Sequence, residues 1–267
     1  MRGDILICFR WVLRETNLLI KSDERRAIDV ATRAALRARQ QIEQFVSRYP
    51  EFRYSLEPLR LKSDECPRVI ELMLKAGEIA DVGPFAAVAG AISQVASEAA
   101  TEAGARNILV ENGGDISING NQQFVVGIYA GRSKLSGRIG FLLGGEDLPA
   151  GICTSSGTVG HSISFGDADA VVVVADEASI ADAAATSIAN EVKGKDIELS
   201  IKRGLDRADD ISEIRGCLIF REDRVGLTGK LPRFIFTQKA EVEKMLGLVT
   251  SQQVKESYSV FAESCLR

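Results

Sequence analysis

The sequence is poor in aromatic residues, with one Trp and four Tyr among 267 positions. A surface that stacks the bases of single-stranded nucleic acid needs such rings, so that role is excluded as the main one. Charge points the same way. A net charge of −4 offers no general attraction for a phosphate backbone, although a local basic patch can still hold a small phosphorylated ligand. The five cysteines, Cys8, Cys66, Cys153, Cys217 and Cys265, are scattered and form no Cys-x-x-Cys pair. That argues against a zinc site or a disulfide framework and leaves them as small buried hydrophobes in a reducing compartment. No apolar run reaches the roughly 18 residues of a membrane span. The start, Met1-Arg2-Gly3-Asp4, leads into a brief apolar run broken by Arg10 and Arg14, which is not the pattern of a signal peptide. The expectation is a cytoplasmic protein with no membrane and no nucleic-acid partner. A phosphate-loop motif, a dinucleotide glycine fingerprint, exact repeats and low-complexity linkers are also absent.

What is present is enough for a real core, since 45% of residues are apolar and 26% charged. Residues 5 to 20 read as two strands around the polar turn Arg14-Glu15-Thr16-Asn17. A long helix from about Asp23 to Arg48 carries Ile28, Ala31, Ala35, Ala38, Ile42, Phe45 and Tyr49 at steps of three and four, and Pro50 stops it. A second helix runs from about Pro67 to Ala80. A third, Phe85 to Glu102, is dense in alanine, glycine and serine, which suits close approach to another backbone or to a ligand. Then the strand Ile108 to Val110 meets Glu111-Asn112-Gly113-Gly114-Asp115 before apolar alternation resumes at Ile116 and Ile118. A Gly-Gly break there predicts a bulge, or bare backbone with something lying against it; Glu111, Asn112 and Asp115 would project from it. Asn119-Gly120 predicts a tight hairpin into the strand Phe124 to Tyr129. Further strands are predicted near 216–221, 225–228 and 233–237, with helices at about 239–246 and 252–267. Helices and strands come in blocks, which predicts an α+β fold, with Asp147-Leu148-Pro149 as the junction between lobes of about 1–147 and 148–267.

The stretch Gly151 to Glu191 concentrates the chemistry. A short apolar run enters the polar loop Thr154-Ser155-Ser156-Gly157-Thr158-Val159-Gly160, then His161, the only histidine, then the apolar strand Ala170 to Ala175 and an alanine-rich helix from about Ser179 to Val192. Asp182 and Thr186 are four apart on that helix, so both side chains share a face. A carboxylate and a hydroxyl so placed suit a hard divalent cation such as magnesium. The same spacing equally serves an acidic residue in a first helical turn and a threonine that only packs. His161, with an unperturbed pKa of ~6.5, is a candidate acid–base group, or an ordinary hydrogen-bonding loop residue.

Three blocks taken together, Gly83-Pro-Phe-Ala-Ala-Val-Ala-Gly-Ala-Ile-Ser93, Val110-Glu-Asn-Gly-Gly-Asp-Ile116, and Cys153-Thr-Ser-Ser-Gly157 with His161 and Ala181-Asp-Ala-Ala-Ala-Thr186, resemble in order and separation the motifs of the ApbE family, the FAD:protein FMN transferases. The flavin-related motifs cover roughly residues 80 to 193. The opening segment, through Phe52-Arg-Tyr-Ser-Leu-Glu-Pro58, resembles an uncharacterised cytoplasmic branch of that superfamily. The resemblance implies a single ApbE-like α+β domain over residues 1–267, built of two duplicated T-fold-like lobes with antiparallel sheets and packed helices, and an FAD site between them. It implies magnesium held by Asp182 and Thr186 at the FAD pyrophosphate, with Asn112, Gly113, Gly114, Asp115, Thr154, Ser155, Gly157 and Ala89 against the nucleotide and Asp182 and His161 in catalytic roles. A hydroxyl of a Ser or Thr on a protein acceptor would attack the FMN phosphorus, and AMP would leave.

Two positions depart from the family pattern. Gly90 stands about where the transferases carry a Lys, and His161 is followed by Ser162-Ile-Ser-Phe-Gly166 in place of an Asp-Pro-x-x-Gly turn. The family is also commonly exported. These departures bear on transfer chemistry more than on binding. The alternatives are therefore a non-catalytic homologue that binds a nucleotide or pterin-like ligand, and a structural homo-oligomer, with a homodimer as the simplest assembly.

Overall fold

The computed structural model describes residues 6–60, 66–131, 133–155 and 165–237, together with the backbone of 260–264. The chain opens with the hairpin β1 (Ile7–Leu13) and β2 (Thr16–Ser22), followed by helices α1 (Arg25–Arg48), the short α2 (Glu51–Tyr54), α3 (Arg68–Ala80) and α4 (Val88–Glu102). Strands β3 (Ile108–Asn112), β4 (Asp115–Asn119), β5 (Phe124–Ile128), β6 (Ile139–Leu143), β7 (Ala150–Ser155) and β8 (Ala170–Ala175) come next. Then α5 (Ala178–Glu191) and α6 (Ile197–Asp209) lead to β9 (Ile214–Arg221), β10 (Arg224–Gly229), β11 (Arg233–Phe236) and β12 (Val260–Ser264).

Eight strands form one antiparallel sheet in the order β1-β2-β3-β4-β7-β8-β9-β10, and four form a second in the order β11-β6-β5-β12. The large sheet is built twice over from the same plan: two strands, a helical crossover, two strands. Its halves meet where β4 pairs β7. The helices cover one face, where Leu18, Ile20, Val110, Val171 and Val173 join the helical core. The small sheet covers the other, where Leu109, Ile116, Ile152, Val172 and Val174 meet Phe124, Val126 and Phe141. Cover on both faces is why β8 reads as an unbroken apolar run, AVVVVA, without alternation. The expected α+β class with antiparallel sheets and packed helices is what is found.

Local signals set several boundaries. The Glu24 carboxylate accepts from the Arg26 N–H at the start of α1, and the helix buries Ile28, Ala31, Ala35, Ala38, Ile42 and Phe45, the stripe visible in the sequence. Pro67 immediately precedes α3, where its missing N–H costs nothing.

Four expectations are corrected. The Gly113-Gly114 break is not a bulge: Asn112 pairs directly with Asp115, and both glycines have positive φ, 66° and 108°, so it is a two-residue hairpin turn of the kind glycine permits. Asn119-Gly120 does not close a hairpin, because β4 belongs to the large sheet and β5 to the small one; Asn107 Oδ1 instead accepts from the N–H groups of Asn121 and Gln122 and turns the chain between sheets. Residues 260–264 form β12, paired with β5, where a helix was expected. Of the cysteines, Cys153 and Cys217 are buried, but Cys8 is exposed and Cys66 half-buried. The helix expected at about 239–246 lies outside the described residues. Helix α6 is an addition that the sequence reading left out.

Candidate functional site

Helix α5 is the element around which the site is built. Twelve of its fourteen residues are buried, Asp182 and Thr186 among them, so neither side chain lies on a solvated face. The α5 backbone is pressed between α4 and β7. A Cβ at Gly90 would lie 2.3 Å from the Ala178 carbonyl oxygen, and a Cβ at Gly151 2.4 Å from the Ala178 Cα. These two glycines let α5 seat this deeply.

That seating carries Asp182 to the amino end of α4, which has no side-chain cap of its own. Asp182 Oδ2 accepts from the Gly90 N–H at 2.8 Å, and the carboxylate also receives the Ala89 N–H. The plain reading of an acidic residue serving a helix end is therefore half right: the end served is that of a neighbouring helix. From the sheet, Asn112 Nδ2 donates to the Ala89 carbonyl at 3.4 Å, and Asn112 Oδ1 accepts from Asn17.

Strands β4 and β7 register only at Ile116↔Ile152, Ser117↔Gly151 and Ile118↔Ala150. The next position along is Asp115 opposite Cys153, where the ladder has ended. There the Asp115 carboxylate replaces the ladder bond, its Oδ1 accepting from the Thr154 N–H at 3.3 Å. The Cys153 thiol lies against the Ala178 carbonyl at 3.2 Å and also against Asp115; its single proton can serve one of them at a time.

Asp115 and Asp182 thus approach one another in the split between the two halves. Burial raises the pKa of Asp182 to about 7, against the opposing pull of its backbone donors. Burial raises Asp115 well above the usual carboxylate range, and the Asp182 charge adds to the shift. Cys153 is raised too, by burial and by both carboxylates. Carboxylates this close and this desolvated are stabilised either by a shared proton or by a cation.

Two hydroxyls nearby have no partner among the described residues: the buried Thr154 Oγ1 and Ser155 Oγ. By strand alternation Ser155 faces the helices, as Cys153 does, and Thr154 faces the small sheet, as Ile152 does. Gly113 has open space where a Cβ would be. The structure therefore brings Ala89, Asn112, Asp115, the Thr154 backbone and Asp182 to one place. Thr186 follows Asp182 by one turn of α5, Gly113 and Gly114 form the adjoining turn, and Ser155 ends the neighbouring strand. Gly157 and His161 lie outside the described residues.

Comparison with known proteins shows the family and the fold. The family described as AbpE bacteria matches residues 3–215. This chain belongs to it. Relatives include UPF0280 proteins of Methanocaldococcus jannaschii, 43% identical over 86% of this chain and 93% of that protein, and of Methanothermobacter thermautotrophicus, 46% identical over 76% and 79%. Among solved structures, the flavin transferase ApbE from Vibrio cholerae shares the fold with a TM-score of 0.54 at 12% identity, over 89% of this chain and 98% of that one. The apo form of the Pseudomonas stutzeri flavinyl transferase ApbE gives 0.55 at 11%, over 90% and 96%.

Within this family chain, the Gly90 departure has a physical cause. A Cβ at position 90 would also come within 2.8 Å of the Asp182 Cβ, so no lysine side chain can leave the helix there. One residue that the sequence reading left without a role is Glu111. It is buried, with neither carboxylate oxygen bonded among the described residues, and burial raises its pKa to about 7 although Arg10 and Lys21 pull it down. The signal was available: a charged residue that continues the apolar strand Ile108 to Val110 just before the Gly113-Gly114 turn.

Proposed function

We propose that this protein binds a flavin nucleotide, FAD, together with magnesium in the split between β4 and β7, and that it transfers FMN to a Ser or Thr hydroxyl of a protein acceptor. The observation that carries this reading is the approach of Asp115 and Asp182, two buried carboxylates with raised pKa at the meeting of the two halves. The donor set fits the ion. It is all oxygen, from Asp182 and the Thr186 hydroxyl one turn on, and the negative potential is strengthened by Asp115. Among the described residues no group of three or more His, Cys, Asp and Glu is placed to hold a metal ion by itself, so water and phosphate oxygens would complete the shell, as magnesium prefers. The bound ion would supply charge neutralisation at the pyrophosphate.

The chain's own groups have defined tasks. Asp182 holds the amino end of α4 against the site through the Gly90 and Ala89 N–H groups. Asn112 fixes the Ala89 carbonyl to the β3–β4 turn. Gly113 and Gly114 keep side chains out of the approach to the split. Ser155 Oγ, which faces the helices and has no partner among the described residues, would bond ligand oxygens, and Thr154 would contribute its backbone. His161 is proposed as the group that takes the acceptor hydroxyl's proton. The single domain is read as two lobes, and the protein as cytoplasmic.

The second reading is a homologue that keeps the ligand and has lost transfer. The packing at Gly90 favours it, since no cationic side chain can stand there. One experiment addresses both. Purified protein incubated with FAD, magnesium and a Ser/Thr-containing acceptor is expected to release AMP and label the acceptor, with D182A inactive. FAD binding without AMP release selects the second reading, and neither binding nor release removes both.

A further inference from the structure

We propose that the outer edge of β1 is a dimer interface, pairing antiparallel with β1 of a second copy of this chain about a two-fold axis at Phe9. The inference stands apart from the nucleotide reading above. Strand β1 is one edge of the large sheet, and among the described strands only β2 pairs with it. The outer side of an edge strand is a template for a further strand. Where that template is not used, proteins blunt it with charge, proline, a bulge or a very short strand.

Strand β1 has none of these devices. It pairs with β2 at all seven of its positions, from Ile7↔Ser22 to Leu13↔Thr16, without a register shift. Its sequence, ICFRWVL, holds no proline and one charged residue, Arg10, which is half-buried and acts on Glu111 on the small-sheet side. Both faces are apolar at the edge. Trp11 packs against the helical core, so by alternation Ile7, Phe9 and Leu13 point to the helix side, where they are 36%, 42% and 37% exposed. Val12 points to the other side and is 57% exposed. The opposite edge of the large sheet is unlike it: β10 reads RVGLTG, with an arginine and two glycines, and glycine weakens a strand.

Charge and turn geometry select the occupant and its register. A two-fold axis normal to the sheet keeps the helix side of one copy beside the helix side of the other, and each contact is made twice. Centred on Arg10, the pairing would set two arginines directly opposite each other, which is destabilising. Centred on Trp11, it is cut short, because the chain leaves the strand at Arg14, where φ is 53°. Centred on Phe9, it sets Arg10 against Cys8, Ile7 against Trp11 and Leu6 against Val12, with the two Phe9 rings at the axis. No like charges meet, and every pair is apolar except the one that joins Arg10 to a thiol. Aromatic and β-branched residues opposite one another are the pairs that stabilise a ladder. A strand that matches itself in this way fits a second copy of the same chain, and the two large sheets would become one.

Sedimentation of the full-length protein over a concentration series tests the interface. Wild type is expected to dimerise, and F9E, which sets two carboxylates together at the axis, to do so at least about tenfold more weakly. L227E, at the other edge of the large sheet, should dimerise as wild type does. The register has a test of its own. In R10C the introduced thiol stands opposite Cys8 of the second copy, within disulfide reach, so mild oxidation should link R10C chains in pairs and leave the double variant C8S/R10C unlinked. That measurement decides the matter if F9E does not fold. A wild type that stays monomeric throughout the series overturns the proposal. So does a dimer that folded F9E leaves intact, a dimer that L227E breaks, or a folded R10C whose chains do not link.

Discussion

At the scale of the residue, the site is a set of carboxyl groups kept from water. Asp182 and Glu111 both have pKa values raised to about 7, and Asp115 is raised as well, in each case chiefly by burial. The native state therefore holds protons that the unfolded chain, with carboxyls near their ordinary pKa values, releases. Stability from these groups is fully present below about pH 4 and is lost as pH rises through their folded pKa values. Without a divalent cation, the unfolding free energy from urea denaturation should fall between pH 5 and pH 8, by an amount on the order of a few kcal/mol, and the midpoint with it. A midpoint that rises over that range would contradict the assignment. Magnesium at pH 8 should restore much of the loss. The D182N variant should be more stable than wild type at pH 8 and should not respond to magnesium, which a melting series with and without the ion measures directly.

At the scale of the element, the decisive contact is Ala178, at the head of α5, held between Gly90 of α4 and Gly151 of β7. Substituting alanine at either glycine forces backbone apart, because the new Cβ would stand 2.3 to 2.4 Å from Ala178 atoms. Overpacking of this kind costs about 1–3 kcal/mol. G90A should in addition disturb the bond between its N–H and Asp182, so it should lose magnesium response as well as stability, whereas G151A should lose mainly stability. Urea denaturation and a magnesium titration on each variant separate the two.

The elements also show what can be read from sequence. The stripe of α1 was legible from its helical period and β8 from its unbroken apolar run, because in both the burial shows locally in the sequence. Helix α6 was not. Its buried residues are Ser200, Ile201, Gly204 and Ala208, mostly small, and Gly204 sits 2.6 Å from Val192 when given a Cβ, so the usual mark of a helix, bulky residues at steps of three and four, is missing. Asp196, whose side chain accepts from the Leu199 N–H, with Glu198 in the first turn, was the signal that could have revealed it. The Asn119-Gly120 turn failed for another reason. Turn chemistry is local, but whether the next strand joins the same sheet is decided by partners far along the chain.

At the scale of the whole molecule, one sheet runs through both halves, and the site lies where the pairing between them ends. Asp182 and Thr186 could be grouped from spacing, and Asn112 to Asp115 from the glycines. That Asp115 stands across from Cys153 and meets Asp182 depends on the β4–β7 register, which sequence alone does not give. Among the described residues no single helix is long and apolar enough to cross a membrane. A ligand that bridges the halves should stabilise the fold as a unit. Saturation at about 100 times its Kd is worth about 2.7 kcal/mol, and a single cooperative transition should move upward with FAD and magnesium together. Two transitions, of which one responds, would argue that the halves melt separately.

The most direct test of the acidic split as a cation-assisted nucleotide site is FAD affinity by equilibrium dialysis, with and without magnesium, in wild type and D182N. Magnesium is expected to tighten binding at least tenfold in wild type and to have no effect in D182N. Equal affinity in all four measurements would contradict the account.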